Sequence, residues 1–421
     1  MEQIKEAMRE IVPEGLRVWH GRIHLIVSYA INRTAFYLFS FFPLRDKVVV
    51  STFDGIKYGD NPQYILEALH EINPGIDIVW VKDAGYSYEV PNWIRTINRR
   101  RHDLHRIYEY ATAKVWVDTH RLQGFFRKRR GQIFIETWHG GLGIKKLDGD
   151  VPKFREDPVL MHEVKTTCRC ADLFVSNSEH LSNVYRSAFS YKGPIWKIGY
   201  PKNDILFRHL PQAKMKIYKK YAIPGNHKLI VYAPTFRDGV WRNRPNWDVY
   251  DIDFGRLLED LSAKTGDKWV IIVKYHPRLL KYGNEKMEWS GSVIDATHYP
   301  DMQELVLAAD AFISDYSSCI FDAALRNIPC LTFAADFDEY KRERGVYYEM
   351  EELPFPYARN NEELMQNIRS FDYASYLKRW EAFKERTGLY ETGHAGKDIA
   401  NLINEYIKGN RKPLDEIMRE P

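Results

Sequence analysis

From Lys47 onward, short runs of consecutive apolar residues alternate with stretches of helical period. The runs fall at residues 48–50, 78–81, 113–117, 133–135, 172–175 and 195–198. They are rich in Val, Ile and aromatic residues and show little polar alternation, as expected of strands covered on both faces. After the first run, a polar turn at 58–62 leads into a helical period through Leu66 and Leu69. A basic helical stretch at 213–221 and the turn Ile223-Pro224-Gly225 then interrupt the series. It restarts at 229–232, 269–273, 292–294, 311–313 and 330–333, and residues 362–407 read as largely helical. Strands alternating with helices predict a parallel, doubly wound sheet, and two such series predict two of them. The expected α/β domains are residues 47–212 and 213–421, with strand-end turns facing each other across a cleft.

Residues 1–46 follow a different pattern. Large apolar groups crowd the stretch 16–44, among them Trp19, Tyr29, Phe36, Tyr37, Phe39, Phe41 and Phe42, interrupted by Arg17, Arg22, His24 and Arg33. No uncharged run reaches the ~18 residues a membrane-spanning helix needs. The pattern predicts either an amphipathic helical segment lying in a membrane interface, aromatics inserted and arginines at the headgroups, or helices packed on the protein's own core.

Composition adds little until it is localised. The 421-residue chain carries a net charge of +4, so the whole molecule is no polyanion binder. Basic residues cluster at Arg95, Arg99, Arg100, Arg101 and Arg106, and again at 127–130 beside Phe125 and Phe126. These runs read as solvated faces or as contacts with anionic lipid. Neither lies in a nucleic-acid-binding module, so no nucleic acid partner is expected. The four cysteines, Cys168, Cys170, Cys319 and Cys330, form no C-x-x-C, which fits reduced thiols. The charged opening from Met1 to Glu14 lacks the apolar core of a cleavable signal, and none is expected.

Candidate chemistry gathers at strand ends. ADAFISDYSSCIFDAALR, residues 309–326, reads as a buried strand, a polar turn and a helix that begins at once. Ser317 or Ser318 can cap that helix, and its remaining N–H groups with the macrodipole suit an anion. An ordinary well-capped crossover helix has the same pattern. ETWHGGLG, residues 136–143, follows the strand at 133–135. Its glycines allow close backbone approach, and His139 is placed as a general base. Glu136 either orients the imidazole or starts the turn. KYHPR, residues 274–278, ends the strand at 269–273 with His276 between Lys274-Tyr275 and Pro277-Arg278. That arrangement suits a phosphate and the protonation of a leaving group; a basic surface loop is the alternative. APTFRD, residues 233–238, offers the Thr235 hydroxyl and Arg237, a bidentate grip for phosphate oxygens. GYPKND, residues 199–204, brings Lys202 towards the cleft from the other side. No Walker A loop, H-E-x-x-H or G-x-S-x-G occurs.

Taken in order, ETWHG, GYPKND, YAPTFRD, KYHPR, SDYSSCIFDAA and EYKRERGVYY resemble the CDP-glycerol glycerophosphotransferase family, which builds teichoic acids and related capsule polymers. The likeness runs from about Ser51 to about Tyr348. It implies a GT-B-type fold, two Rossmann-like domains about a central cleft, with the donor held in the second. It also implies a peripheral enzyme on the cytoplasmic face of the membrane, acting on a lipid-linked saccharide or growing polymer. Residue by residue, His139 matches the base and His276 the histidine that assists departure of CMP. Gly140, Pro234, Thr235, Lys274, Ser317, Ser318 and Arg344 match donor-side positions, to which the residue reading adds Gly141, Lys202, Arg237 and Tyr275. Two departures stand out. Gly141 and Leu142-Gly143-Ile144 follow WHG, where the family often has threonine and then Pro-Leu, and Lys202 replaces an arginine, losing bidentate geometry.

The implied reaction is transfer of glycerol phosphate, or another alditol phosphate, from CDP-glycerol to an acceptor hydroxyl, with no metal and no cofactor expected. The alternatives are a CDP-ribitol enzyme, a GT-B glycosyltransferase using a nucleotide sugar, and a catalytically silent scaffold.

Overall fold

The computed structural model describes residues 14–99, 104–237, 247–276, 279 and 289–419, with side chains from residue 27 onward. Arg100, Arg101, Asp238, Pro277, Arg278 and residues 1–13 lie outside the described residues.

The first sheet, among the described residues, has seven parallel strands: β1 Arg45–Val50, β2 Asp77–Asp83, β3 Arg95–Arg99, β4 Ala113–Asp118, β5 Ile133–Glu136, β6 Leu173–Ser176 and β7 Ile195–Lys197. The second has six, all parallel: β8 His227–Tyr232, β9 Lys268–Val273, β10 Val293–Asp295, β11 Ala311–Ser314, β12 Cys330–Phe333 and β13 Tyr357–Ala358. Their orders, β3-β2-β1-β4-β5-β6-β7 and β10-β9-β8-β11-β12-β13, both reverse direction beside the first strand. Such a reversal opens a crevice at the carboxyl ends of the two strands that flank it. Here these are β1 with β4 and β8 with β11. The anticipated strands are all present, and the central ones are buried on both faces, as Val48, Val49 and Val50 are.

Two strands were not anticipated. β3 is an edge strand with one buried side chain, Ile97, and β13 is two residues long. The arginines that mask β3 are held internally. Arg95 pairs with Asp77 (2.9 Å) and Glu109 (2.6 Å), and Arg99 with Asp54 (3.0 Å). Arg106 is buried and donates to Gln123 (2.9 Å). In the second basic run, Lys128 pairs with Asp172 and Arg129 donates to the carbonyls of Ser40 and Phe42. Phe125 and Phe126 are buried, which removes them from any membrane contact.

The division at residue 213 needs one correction. The helix Ala395–Ile407 returns to the first domain and packs on the helix Asp60–Ile72. Ile399, Leu402 and Ile403 enter the same core as Ile65, Leu66 and Leu69. Asp204 accepts the first N–H groups of this helix, from Ala395 (3.0 Å) and Gly396 (2.7 Å), which fixes where it begins. An apolar stripe does not say which of two sheets it will cover.

The helix Glu14–Phe39 packs in part on the protein's own core, as one of the two readings expected. Ser28, Asn32, Ala35 and Phe36 form a stripe at helical spacing buried on the protein, with Phe36 edge-on to Trp116 (6.0 Å) and Phe126 (5.9 Å). Arg33 donates to the Phe125 carbonyl (3.1 Å) instead of turning outward. Val27, Ile31, Tyr37, Leu38, Phe41 and Phe42 are exposed. No helix among the described residues is long and apolar enough to cross a membrane.

Candidate active site

His139 stands where the first sheet reverses. Its Nδ1 lies 2.8 Å from the carbonyl oxygen of Thr119, just past β4. A carbonyl only accepts, so Nδ1 carries the proton and Nε2 keeps its lone pair. The ring is clasped by Trp138 (4.5 Å) and by Phe53 (4.6 Å), which follows β1. Burial holds the imidazole well below its ordinary pKa, so it is neutral at neutral pH. A neutral, oriented imidazole with one free nitrogen is a general base ready to act. Trp138 takes a positive φ of 51° to make this turn.

Glu136 does not orient the ring. It is fully buried at the end of β5, and its Oε1 accepts from the Trp138 backbone N–H (2.8 Å). Burial raises its pKa well above the carboxylate range. The orienting group is the Thr119 carbonyl, which leaves no residue-type signal in a sequence.

The histidine loop then meets the second domain. A Cβ on Gly140 would sit 3.6 Å from Ser318 Oγ, and one on Gly141 would lie 2.6 Å from Asn177 Nδ2, too close for any side chain. The Tyr200 hydroxyl donates to the Gly140 carbonyl (3.0 Å). Lys202 is buried and pairs with Asp322 (3.0 Å), while also donating to the His139 carbonyl (3.3 Å). It therefore ties the base's loop to the helix after β11. A phosphate would have to compete with Asp322 for it.

On the second domain, the turns after β8 and β11 are bonded together. Ser314 Oγ donates to the Ala233 carbonyl (2.6 Å), and the Thr235 N–H donates to Asp315 (2.8 Å). Pro234 is buried, and the Thr235 hydroxyl is buried without a hydrogen-bond partner among the described residues. Ser317 and Ser318 are half-buried. The helix they begin, Cys319–Ala324, has six residues. Ser317 Oγ reaches the Cys319 N–H only at 3.5 Å, and Ser318 makes no capping bond. The expected cap is thus weak, and so short a helix has a small dipole.

Arg237 corrects the largest expectation on this side. Its guanidinium is 4% exposed and donates to Asp336 twice (2.6 and 2.9 Å), to Asp315 (2.7 Å) and to the Thr235 carbonyl (2.6 Å). Tyr316 covers it at 4.6 Å. Four of its five donors are used, so it braces the donor turn and does not grip phosphate.

At the end of β9 the three candidate residues separate. Lys274 donates to the carbonyls of Thr297 (3.3 Å) and Tyr299. Burial, with Lys57 nearby, brings its pKa down to about 8. Tyr275 is buried among Tyr232, Trp247 and Tyr250, away from the cleft. His276 is exposed, its ring 5.2 Å from Phe236. Arg344 lies at another seam between the domains, over the Phe154 ring (4.6 Å). Next to it the Gly345 carbonyl accepts from Lys146 (3.0 Å), and Tyr347 donates to Ile144 (2.7 Å).

Two facing Rossmann-like domains, with His139 on the strand-end loop of one against the helix start of the other, define a GT-B-type α/β fold. The sequence pattern of the family described as CDP-Glycerol:Poly(glycerophosphate) glycerophosphotransferase matches residues 34–405, and the chain belongs to that family. It is 28% identical over 372 residues to a teichoic acid poly(glycerol phosphate) polymerase of Staphylococcus epidermidis, covering 86% of this chain and 51% of that protein. A Bacillus subtilis protein of the same name is 27% identical over 413 residues, covering 95% of this chain and 54% of that one. The chain thus spans about half the length of these relatives. The solved structure of the wall teichoic acid polymerase TagF superposes with a TM-score of 0.75 at 26% identity, covering 94% of this chain and 98% of that one.

Proposed function

We propose that this protein transfers glycerol phosphate from CDP-glycerol to a hydroxyl of a lipid-linked saccharide or growing teichoic-acid-type polymer, releasing CMP. The observation that carries this is the His139 ring, neutral, with its Nε2 lone pair left free by the Thr119 carbonyl. The acceptor hydroxyl gives its proton to Nε2 as its oxygen attacks the β-phosphorus. The bond from that phosphorus to the bridging oxygen breaks, and CMP leaves with the electron pair. His276, Lys274 and the turn at Ser317-Ser318 meet the charge on the departing group, while Pro234 and the free Thr235 hydroxyl line the donor side. Phosphoryl transfer asks chiefly for position and charge stabilisation, which this arrangement supplies. The two polymerases named for poly(glycerol phosphate) above match at 28% and 27% identity and one named for poly(ribitol-phosphate) at 24%, which favours glycerol over ribitol.

Incubation with CDP-glycerol, CDP-ribitol and UDP-glucose in turn, each with a lipid-linked saccharide, tests the reading. CMP release with an acceptor heavier by glycerol phosphate units is expected. UDP release with a hexose added would move the protein to the glycosyltransferases.

The exposed apolar face of the N-terminal helix supports peripheral attachment to the cytoplasmic face of the membrane, by insertion more than by charge. Tyr37, Leu38 and Phe41 are 63%, 56% and 72% exposed. Wild-type protein is expected to sediment with phospholipid vesicles, and the double variant Leu38→Asp with Phe41→Asp to remain in solution. Equal sedimentation of both would remove this face from membrane binding.

A further inference from the structure

The loop after β1 is strained around the base. Phe53, Asp54 and Gly55 take φ values of 46°, 61° and 88°, and Asp60 one of 61°. Phe53 and Asp54 are not glycine, so the left-handed backbone is costly and must be imposed. It is imposed from several sides. The Phe53 N–H donates to Thr119 Oγ1 (3.1 Å), Arg99 donates to the Asp54 carbonyl (3.1 Å), and the Tyr88 hydroxyl to the Gly55 carbonyl (2.6 Å). A Cβ on Gly55 would lie 2.7 Å from the backbone of Val81 and Asp83, so the loop is pressed against β2. Strain held this firmly belongs with ligand-binding turns.

The loop presents one cation. Lys57 is 37% exposed, its Nζ 4.8 Å above the Phe53 ring that packs on His139. Its ion-pair partner Asp60 stands off at 3.8 Å, with its other oxygen accepting from the Asn61 N–H (2.9 Å). Directly beyond begins the helix Asp60–Ile72 of the first domain, from which the Tyr64 hydroxyl donates to Asp301 of the second (2.7 Å). Just before Asp301, the Tyr299 carbonyl holds Lys274. Lys57 and Lys274 thus approach one seam from opposite domains, where the charge of Lys57 helps lower the Lys274 pKa and the Asp301 carboxylate opposes that.

We propose that Lys57 is a phosphate-binding residue that contacts the transferred phosphoryl group of a nucleoside diphosphate donor. The position follows from the loop: Phe53 ties Lys57 to His139, and the base must meet the acceptor at the transferred phosphorus. This inference rests on the phosphotransfer reading. CMP lacks the transferred phosphate, so it separates a contact at that group from general damage to the loop.

The test measures calorimetric affinity for CDP-glycerol and CMP, together with turnover, in wild type, Lys57→Ala and Lys57→Arg. Losing one charge-assisted contact should weaken CDP-glycerol binding and lower kcat/KM by about 10- to 100-fold. CMP affinity should stay within about twofold, and Lys57→Arg should restore most of the loss, since a cation is what the phosphate needs. Lys57→Ala with unchanged CDP-glycerol affinity and turnover overturns the inference, as does an equal loss of CMP and CDP-glycerol binding. A wild-type protein that binds CMP but no CDP-glycerol overturns the phosphotransfer reading, and the inference falls with it.

Discussion

His139→Ala is expected to lower turnover by about 10² or more, the usual cost of losing a general base, with the fold intact. The Nδ1 of this imidazole is held by the Thr119 backbone carbonyl, which leaves the lone pair on Nε2. The pH dependence has a definite sign. Burial holds the His139 pKa well below its ordinary value of about 6.5. The base form therefore persists as pH falls through 6.5, and the acid limb of kcat/KM is expected below it. Glu136→Gln makes the contrast. A glutamine oxygen can still accept from the Trp138 N–H, so turnover should change far less than on loss of the ring. Turnover of His139→Ala within a few-fold of wild type would remove the histidine from the chemistry.

Arg237→Ala is expected to cost about 3–5 kcal/mol of stability, because it strands two buried carboxylates, Asp315 and Asp336. The damage should extend to the donor turn, since Asp315 also accepts from the N–H groups of Thr235 and Tyr316. Arg237→Lys should recover part of the loss, for an ammonium supplies the charge without the fork that meets both Asp336 oxygens. Urea unfolding monitored by tryptophan fluorescence reads the effect. An Arg237→Ala protein of full stability but poor CDP-glycerol affinity would return this residue to the phosphate.

The sequence by itself determined the parallel α/β class, the strands with both faces covered, and the strand-end turns where chemistry gathers. These rest on local facts: an apolar run reports its own burial, and a glycine-rich turn after a strand reports its own geometry. Val48-Val49-Val50 and the loop at His139 are legible for that reason. Tertiary structure decided what long-range partners decide. Arg237 and Lys202 look free in sequence because Asp315, Asp336 and Asp322 stand far along the chain, and only folding brings them within 3.0 Å. β3 was hidden because an edge strand with one buried residue carries no apolar run. The helix Ala395–Ile407 shows its apolar stripe but not the sheet that will receive it. Thr119 holds the base through a carbonyl common to every residue, so no side chain could announce it. Lys57 became visible only when the strained backbone around Phe53 set it over the ring that packs on His139. A sequence records which groups are present; whether a charge is free to meet a substrate depends on whether the fold has already paired it.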